Sequence, residues 1–155
     1  MVEVGQPAPE WTLPDQNGRE VSLSRFRGQP VVLYFYPKDD TPGCTVEACA
    51  FRDARKDYEN VGATVIGVSP DTVESHEKFA RKYDLPLILL ADTDKVVCQR
   101  YGVWREKTMF GKKGMGVVRS TFLIDREGIV RRIFTNVKAR GHSDAVLAAL
   151  KTLTP

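Results

Sequence analysis

The run Val31 to Tyr36, VVLYFY, is the strongest constraint on how this chain folds. It is an unbroken stretch of β-branched, aliphatic and aromatic side chains with no polar face, so a strand built from it must be covered on both sides. That excludes an open, half-solvated sheet and demands packed layers on either face. The sequence after it supplies them. Ala48, Phe51, Ala54 and Tyr58 recur at spacings of three and four, which predicts a helix from about Cys44 to a stop at Gly62. Ala63 to Ser69 (ATVIGVS) predicts a second buried strand. A helix over about Thr72 to Tyr83 follows, with Val73, Phe79, Ala80 and Tyr83 inward, then a short strand at Leu87 to Ala91 and a short helix at Asp94 to Tyr101 carrying Cys98. Val117 to Asp125 and Ile129 to Val137 surround Arg126-Glu127-Gly128 as a hairpin. The last helix runs from about Ser143, its expected N-cap, to Leu153, with Val146, Leu147, Leu150 and Leu153 as its stripe. Ahead of all this, Trp11 to Leu13 and Glu20 to Leu23 flank Asp15-Gln16-Asn17-Gly18, a hairpin signal. The expected architecture is an α/β sandwich with a mixed sheet. With no repeat, low-complexity tract or linker, residues 1–155 are expected to form one domain.

Composition narrows the function classes. No apolar run approaches the roughly 20 residues of a membrane-spanning helix, and the start lacks a basic stretch followed by an apolar one. The expectation is a cytoplasmic protein with no membrane partner. Net charge is +3 and the basic residues are dispersed, apart from Arg131-Arg132 and Lys112-Lys113, so no nucleic-acid partner is suggested. Three cysteines, an odd number, argue against a disulfide framework and for thiols kept for chemistry or buried as small hydrophobes. Structural zinc is not expected either. Cys44, Cys49, Cys98, His76 and His142 offer only one C-x4-C pair, and each histidine is isolated. His76 reads as packed or solvated, and Gly111 to Gly116 (GKKGMG) reads as a flexible loop without the strand-to-helix context of a phosphate cradle.

Cys44 follows Pro42-Gly43 at the point where the helical period begins. A helix start carries about half a positive charge and unpaired N–H groups, which favour the thiolate form of a cysteine placed there. Position alone leaves open whether Cys44 is a nucleophile or a small core residue.

Residues 37–49, PKDDTPGCTVEAC, decide between them: the segment resembles the active-site loop of the peroxiredoxins, in which Pro, Thr and Cys stand where Pro37, Thr41 and Cys44 stand here. Glu47 and a second cysteine, Cys49, make it similar to the bacterioferritin-comigratory or peroxiredoxin Q subgroup. The likeness extends to the opening GQPAPEWTLPDQNGREVSL, the strand VVLYFYP, the late RSTFLID and the final helix. It implies a thioredoxin-like sandwich and a thiol peroxidase that reduces hydrogen peroxide and organic hydroperoxides without cofactor or metal. Cys44 is then the attacking thiolate, and Arg119 from RSTFLID reaches both it and the peroxide. Thr41 hydrogen-bonds the peroxide, Pro37 shields the thiolate, and the Gly43 and Cys44 N–H groups finish the substrate pocket. The sulfenic acid left on Cys44 would be resolved by Cys49 as an intramolecular disulfide, then reduced by thioredoxin or a similar dithiol protein. A monomer is expected, since the resolving thiol lies in the same chain. Glu47 fits two roles, orienting Arg119 or complementing the helix dipole. Cys98, among apolar neighbours, reads as a buried structural thiol. The rival is a redox sensor using the same disulfide as a switch. A disulfide reductase is disfavoured by the lack of C-x-x-C.

Overall fold

The computed structural model describes residues 2–153. The VVLYFY run becomes β3 (Val31–Phe35), and all five of its residues are buried. It is the middle strand of a five-stranded sheet that also contains β4 (Thr64–Ser69), β5 (Ile88–Ala91), β8 (Ser120–Ile124) and β9 (Val130–Phe134). The order is β5-β4-β3-β8-β9. β3 runs parallel to β4 and antiparallel to β8, so the sheet is mixed. The fold is thioredoxin-like.

Successive β3 side chains point to opposite faces and seed two cores. Val31, Leu33 and Phe35 join Ile66, Val68, Leu90 and Phe122 on one face, beneath Trp11, Tyr101 and Val103. Val32, Tyr34 and Tyr36 join Leu89 and Leu123 on the other, beneath Phe51, Tyr58, Phe79, Val146 and Leu150. Those last five belong to α1 (Pro42–Asp53), α2 (Arg55–Asn60), α3 (Val73–Lys82) and α5 (His142–Leu153), which cover that face together. α4 (Val96–Arg100) lies on the first face and carries Cys98. The N-terminal hairpin pairs β1 (Thr12–Pro14) with β2 (Glu20–Ser22). Its turn is a five-residue loop in which the Asp15 carboxylate accepts the N–H groups of Asn17 and Arg19.

Four local expectations need correction. The helix expected to run on to Gly62 breaks at Ala54 into α1 and α2. Ser143 is not an N-cap, because α5 already begins at His142 and Ser143 is buried with its carbonyl accepting the Tyr58 hydroxyl at 2.8 Å. Val117 belongs to a different strand from the one beginning at Ser120. GKKGMG is not a flexible loop: β6 (Trp104–Met109) and β7 (Lys112–Val117) form a separate hairpin. Phe110 and Gly111 make its turn, both at positive φ (53° and 77°), as a two-residue primed turn requires.

Candidate active site

Thr41 is extended, and Pro42 at the first helical position starts α1 with φ already suited to it. Cys44 therefore sits in the first turn, buried to 2 % exposure. Thr41 occupies the N-cap position without a side-chain cap bond, and its hydroxyl donates to the Lys38 carbonyl at 2.8 Å. The first-turn N–H groups of Gly43 and Cys44 are thus left without a side-chain cap, as donors a helix start offers to an anion.

Arg119 comes from just before β8, the strand beside β3. β8 pairs with β3 so that Ser120 lies opposite Phe35, which places the preceding residue at the end of β3 from which the cysteine loop departs. Its Nη2 donates to Cys44 Sγ at 3.2 Å and its Nη1 to Glu47 Oε1 at 2.5 Å. Gly43 makes room for this approach, since a Cβ there would stand 3.1 Å from Arg119 Nη2. Burial opposes the guanidinium charge, but Glu47 and Cys44 together hold Arg119 above its ordinary value.

Glu47 is 1 % exposed, and its Oε2 has no hydrogen-bond partner. Burial pushes its carboxyl up to about 7 against the opposing pull of Arg119. The Tyr34 hydroxyl, also buried, lacks a hydrogen-bond partner too. Its pKa lies well above the ordinary value, through burial first and then the negative potential of Glu47 and Cys44. Lys107, reaching in from β6, is lowered by burial and by Arg119. Pro37 lines an open cavity of about 420 Å³ together with Pro70, Trp104, Lys107, Met115 and Val117.

The fold thus brings together Thr41, Gly43, Cys44 and Arg119, and puts Pro37 on the wall of the adjoining cavity. Glu47 was visible in the sequence, three residues from Cys44 and so on the same helix face. That it anchors Arg119 required the fold. Lys107 and Tyr34 carried no sequence signal. Cys49 is half-buried further along α1, and all three cysteines are free thiols. Cys98 is fully buried, with burial and Asp92 pushing its thiol far above the usual range, as expected of an inert structural thiol. Among the described residues, one group of three ligand-type side chains comes close together, Asp39, Asp71 and His76, and it contains no cysteine. His142 is elsewhere, bonded to Thr121 at 2.7 Å.

A buried thiol at a helix start, bonded by a fixed guanidinium on a thioredoxin-like sheet, defines the class: a thiol peroxidase. The chain belongs to the AhpC/TSA family, whose model matches residues 4–133. Within that family it is a peroxiredoxin of the Bcp, or peroxiredoxin Q, kind. It is 50% identical over 149 residues to the putative peroxiredoxin bcp of Coxiella burnetii, covering 96% of this chain and 99% of that protein. Peroxiredoxin Bcp of Bacillus subtilis is 46% identical over 153 residues, 99% of this chain and 98% of the relative. The bacterioferritin comigratory protein of Xanthomonas campestris, whose trapped intermediate and ligand complexes concern alkyl peroxide reduction, superposes with a TM-score of 0.92. It is 38% identical, over 99% of this chain and 100% of the other.

Proposed function

We propose that this peroxidase, acting as one domain and as a monomer, reduces hydrogen peroxide and organic hydroperoxides through Cys44 in the cytoplasm. The observation that carries the assignment is the 3.2 Å bond from Arg119 to the Cys44 sulfur inside the uncapped first turn of α1. The Cys44 thiolate attacks one peroxide oxygen in line, and the other leaves as hydroxide or alkoxide. The guanidinium stabilises sulfur before attack and the departing oxygen during it, while the Gly43 and Cys44 N–H groups and the Thr41 hydroxyl fix the peroxide. Pro37 keeps water from the sulfur. The product is a Cys44 sulfenic acid and water or an alcohol. Cys49 then condenses with the sulfenic acid, releasing water and forming a disulfide, and thioredoxin or a similar dithiol protein reduces it by exchange. The cavity beside Pro37 supports organic peroxides among the substrates, since Pro37, Pro70, Trp104, Met115 and Val117 give it an apolar wall that suits a carbon chain, beside the lysines that also line it.

Turnover of hydrogen peroxide and cumene hydroperoxide with thioredoxin, its reductase and NADPH tests the assignment. Many equivalents per chain are expected from the native protein and none from Cys44→Ser, whose hydroxyl is not ionised near neutral pH. Consumption that stops near one equivalent would make the protein a sensor. Near-normal turnover by the variant would remove Cys44 from the mechanism.

A further inference from the structure

Away from the sulfur lies a buried polar cluster that the chemistry above does not use. His76 on α3 is fully buried and bonded on both sides of its ring. Its Nε2 lies 2.9 Å from the Leu90 carbonyl, which can only accept, so that nitrogen carries a proton. Its Nδ1 lies 2.7 Å from Asp39 Oδ2. Asp39 accepts the Tyr36 hydroxyl at 2.6 Å and the Ser75 hydroxyl at 2.8 Å. Its backbone N–H donates to Asp71 Oδ2 at 2.8 Å, and the Ser69 hydroxyl donates to the same oxygen at 2.6 Å. The next residue, Asp40, holds φ at +58°, a left-handed conformation that few residues besides glycine, asparagine and aspartate take. Lys82 Nζ at 2.8 Å and the Tyr83 hydroxyl at 2.7 Å hold its carboxylate there. Two consecutive residues of the cysteine loop are therefore pinned to α3 and the residue that ends it. From Thr41 onward the chain enters α1, whose first helical bond runs from Thr45 N–H to the Thr41 carbonyl, and among the described residues no side chain of α3 is bonded to it.

This layout bears on the resolving step, and the inference rests on the Cys44–Cys49 cycle proposed above. α1 has to open at its start for the two sulfurs to meet. If opening spread back through residues 37–40, more chain would be released, and the added conformational entropy would favour the open state. We infer that His76 is a positioning residue: through Asp39 it confines opening to the segment after Asp40 and so keeps the folded, peroxide-reactive site dominant. Attack on peroxide is fast because the pocket stays assembled. Resolution is slower for the same reason, which leaves the sulfenic acid exposed longer to a second peroxide.

The test follows reduced protein mixed with hydrogen peroxide, timing sulfenic acid formation and disulfide formation separately, and measures Cys44 sulfinic acid at high peroxide by mass spectrometry. His76→Gln and Asp39→Asn are expected to slow the first step at least fivefold, speed disulfide formation at least threefold, and lower the sulfinic fraction. Ser75→Ala removes one bond of the cluster and is expected to slow the first step and speed disulfide formation by about twofold each, so it decides the matter if the buried variants do not fold. Rates that fall together, or do not move while the melting temperature drops, would reduce His76 to a structural residue and overturn the inference. The native protein is the reference. If it forms no Cys44–Cys49 bond the cycle itself is wrong, whereas a native disulfide with no divergence of rates defeats the positioning role alone.

Discussion

The Arg119 guanidinium and the Cys44 sulfur meet at 3.2 Å across 75 residues of sequence, and the antiparallel register of β3 and β8 is what brings them together. The guanidinium bridges two partners, with one terminal nitrogen on sulfur and the other on Glu47. Its orientation toward the sulfur is therefore fixed from behind by a carboxyl that is itself buried.

Arg119→Lys preserves charge and loses the fork, since one ammonium cannot reproduce two divergent planar donors. The expected outcome is a fall of at least tenfold in the second-order rate with hydrogen peroxide, which corresponds to about 1.4 kcal/mol of lost transition-state stabilisation. Stopped-flow oxidation of the reduced protein checks it. A rate within about twofold of the native protein would place the side chain outside the reaction.

Gly43→Ala probes the same contact from the other side. The added methyl would stand 3.1 Å from Arg119 Nη2, tighter than an ordinary van der Waals contact, and Glu47 holds the guanidinium against retreat. Gly43 lies in a helix, so the substitution also improves local helix propensity. The expected result is separation of the two properties, with melting temperature unchanged or slightly raised and peroxide rate lowered several-fold. An unaltered rate would mean that Arg119 shifts freely.

The pairing of Glu47 with Arg119 also sets a pH dependence. Burial raises the Glu47 carboxyl from 4.5 to about 7 in the folded protein, so the folded state binds this proton more tightly than the unfolded one. Its contribution to stability is then fully present below about pH 4.5 and is lost as pH rises through about 7. Glu47→Gln removes that titration. Urea unfolding at pH 5 and pH 8 is expected to show the native protein losing stability relative to the variant by on the order of 1–2 kcal/mol over that interval. A difference independent of pH would show that Arg119 keeps the carboxyl ionised throughout.

The central strand was legible because six apolar residues in a row have one physical solution, burial on both faces. The cysteine loop was legible because Pro37, Thr41 and Cys44 match a family pattern at fixed spacing. The β6–β7 hairpin was missed because its strands are mostly polar or glycine, and because its turn puts Phe110, a bulky residue, at positive φ where glycine or asparagine is the usual sign. The break at Ala54 left no proline or glycine to announce it. In the sequence His76 is an isolated histidine, since its partners Asp39 and Leu90 are brought to it only by β-sheet order. Long-range polar contacts of this kind have no period in the sequence.

The last prediction concerns the path between two states. Cys44 and Cys49 both lie within the regular helix α1. Five residues of helix advance about 7.5 Å and turn through about 140°, which separates the Cα atoms by about 8.7 Å. A disulfide needs roughly 4.4–6.8 Å, so the bond cannot form while the first turn and a half of α1 stays helical. Opening costs the buried contacts of Cys44, Glu47, Ala48 and possession of Arg119 by the thiol, and Phe51, packed against Tyr34 with ring centroids 4.8 Å apart, marks where the helix remains anchored. Amide exchange is therefore expected to be slow across residues 44–50 in the reduced protein and faster by at least tenfold in the oxidised one, with residues 51–53 and the sheet unchanged. Cys49→Ser, oxidised under the same conditions, is expected to keep the reduced pattern, because no disulfide holds the helix open. Equal protection of residues 44–50 in both states, in protein whose Cys44–Cys49 bond has been confirmed by peptide mapping, would refute the unwinding.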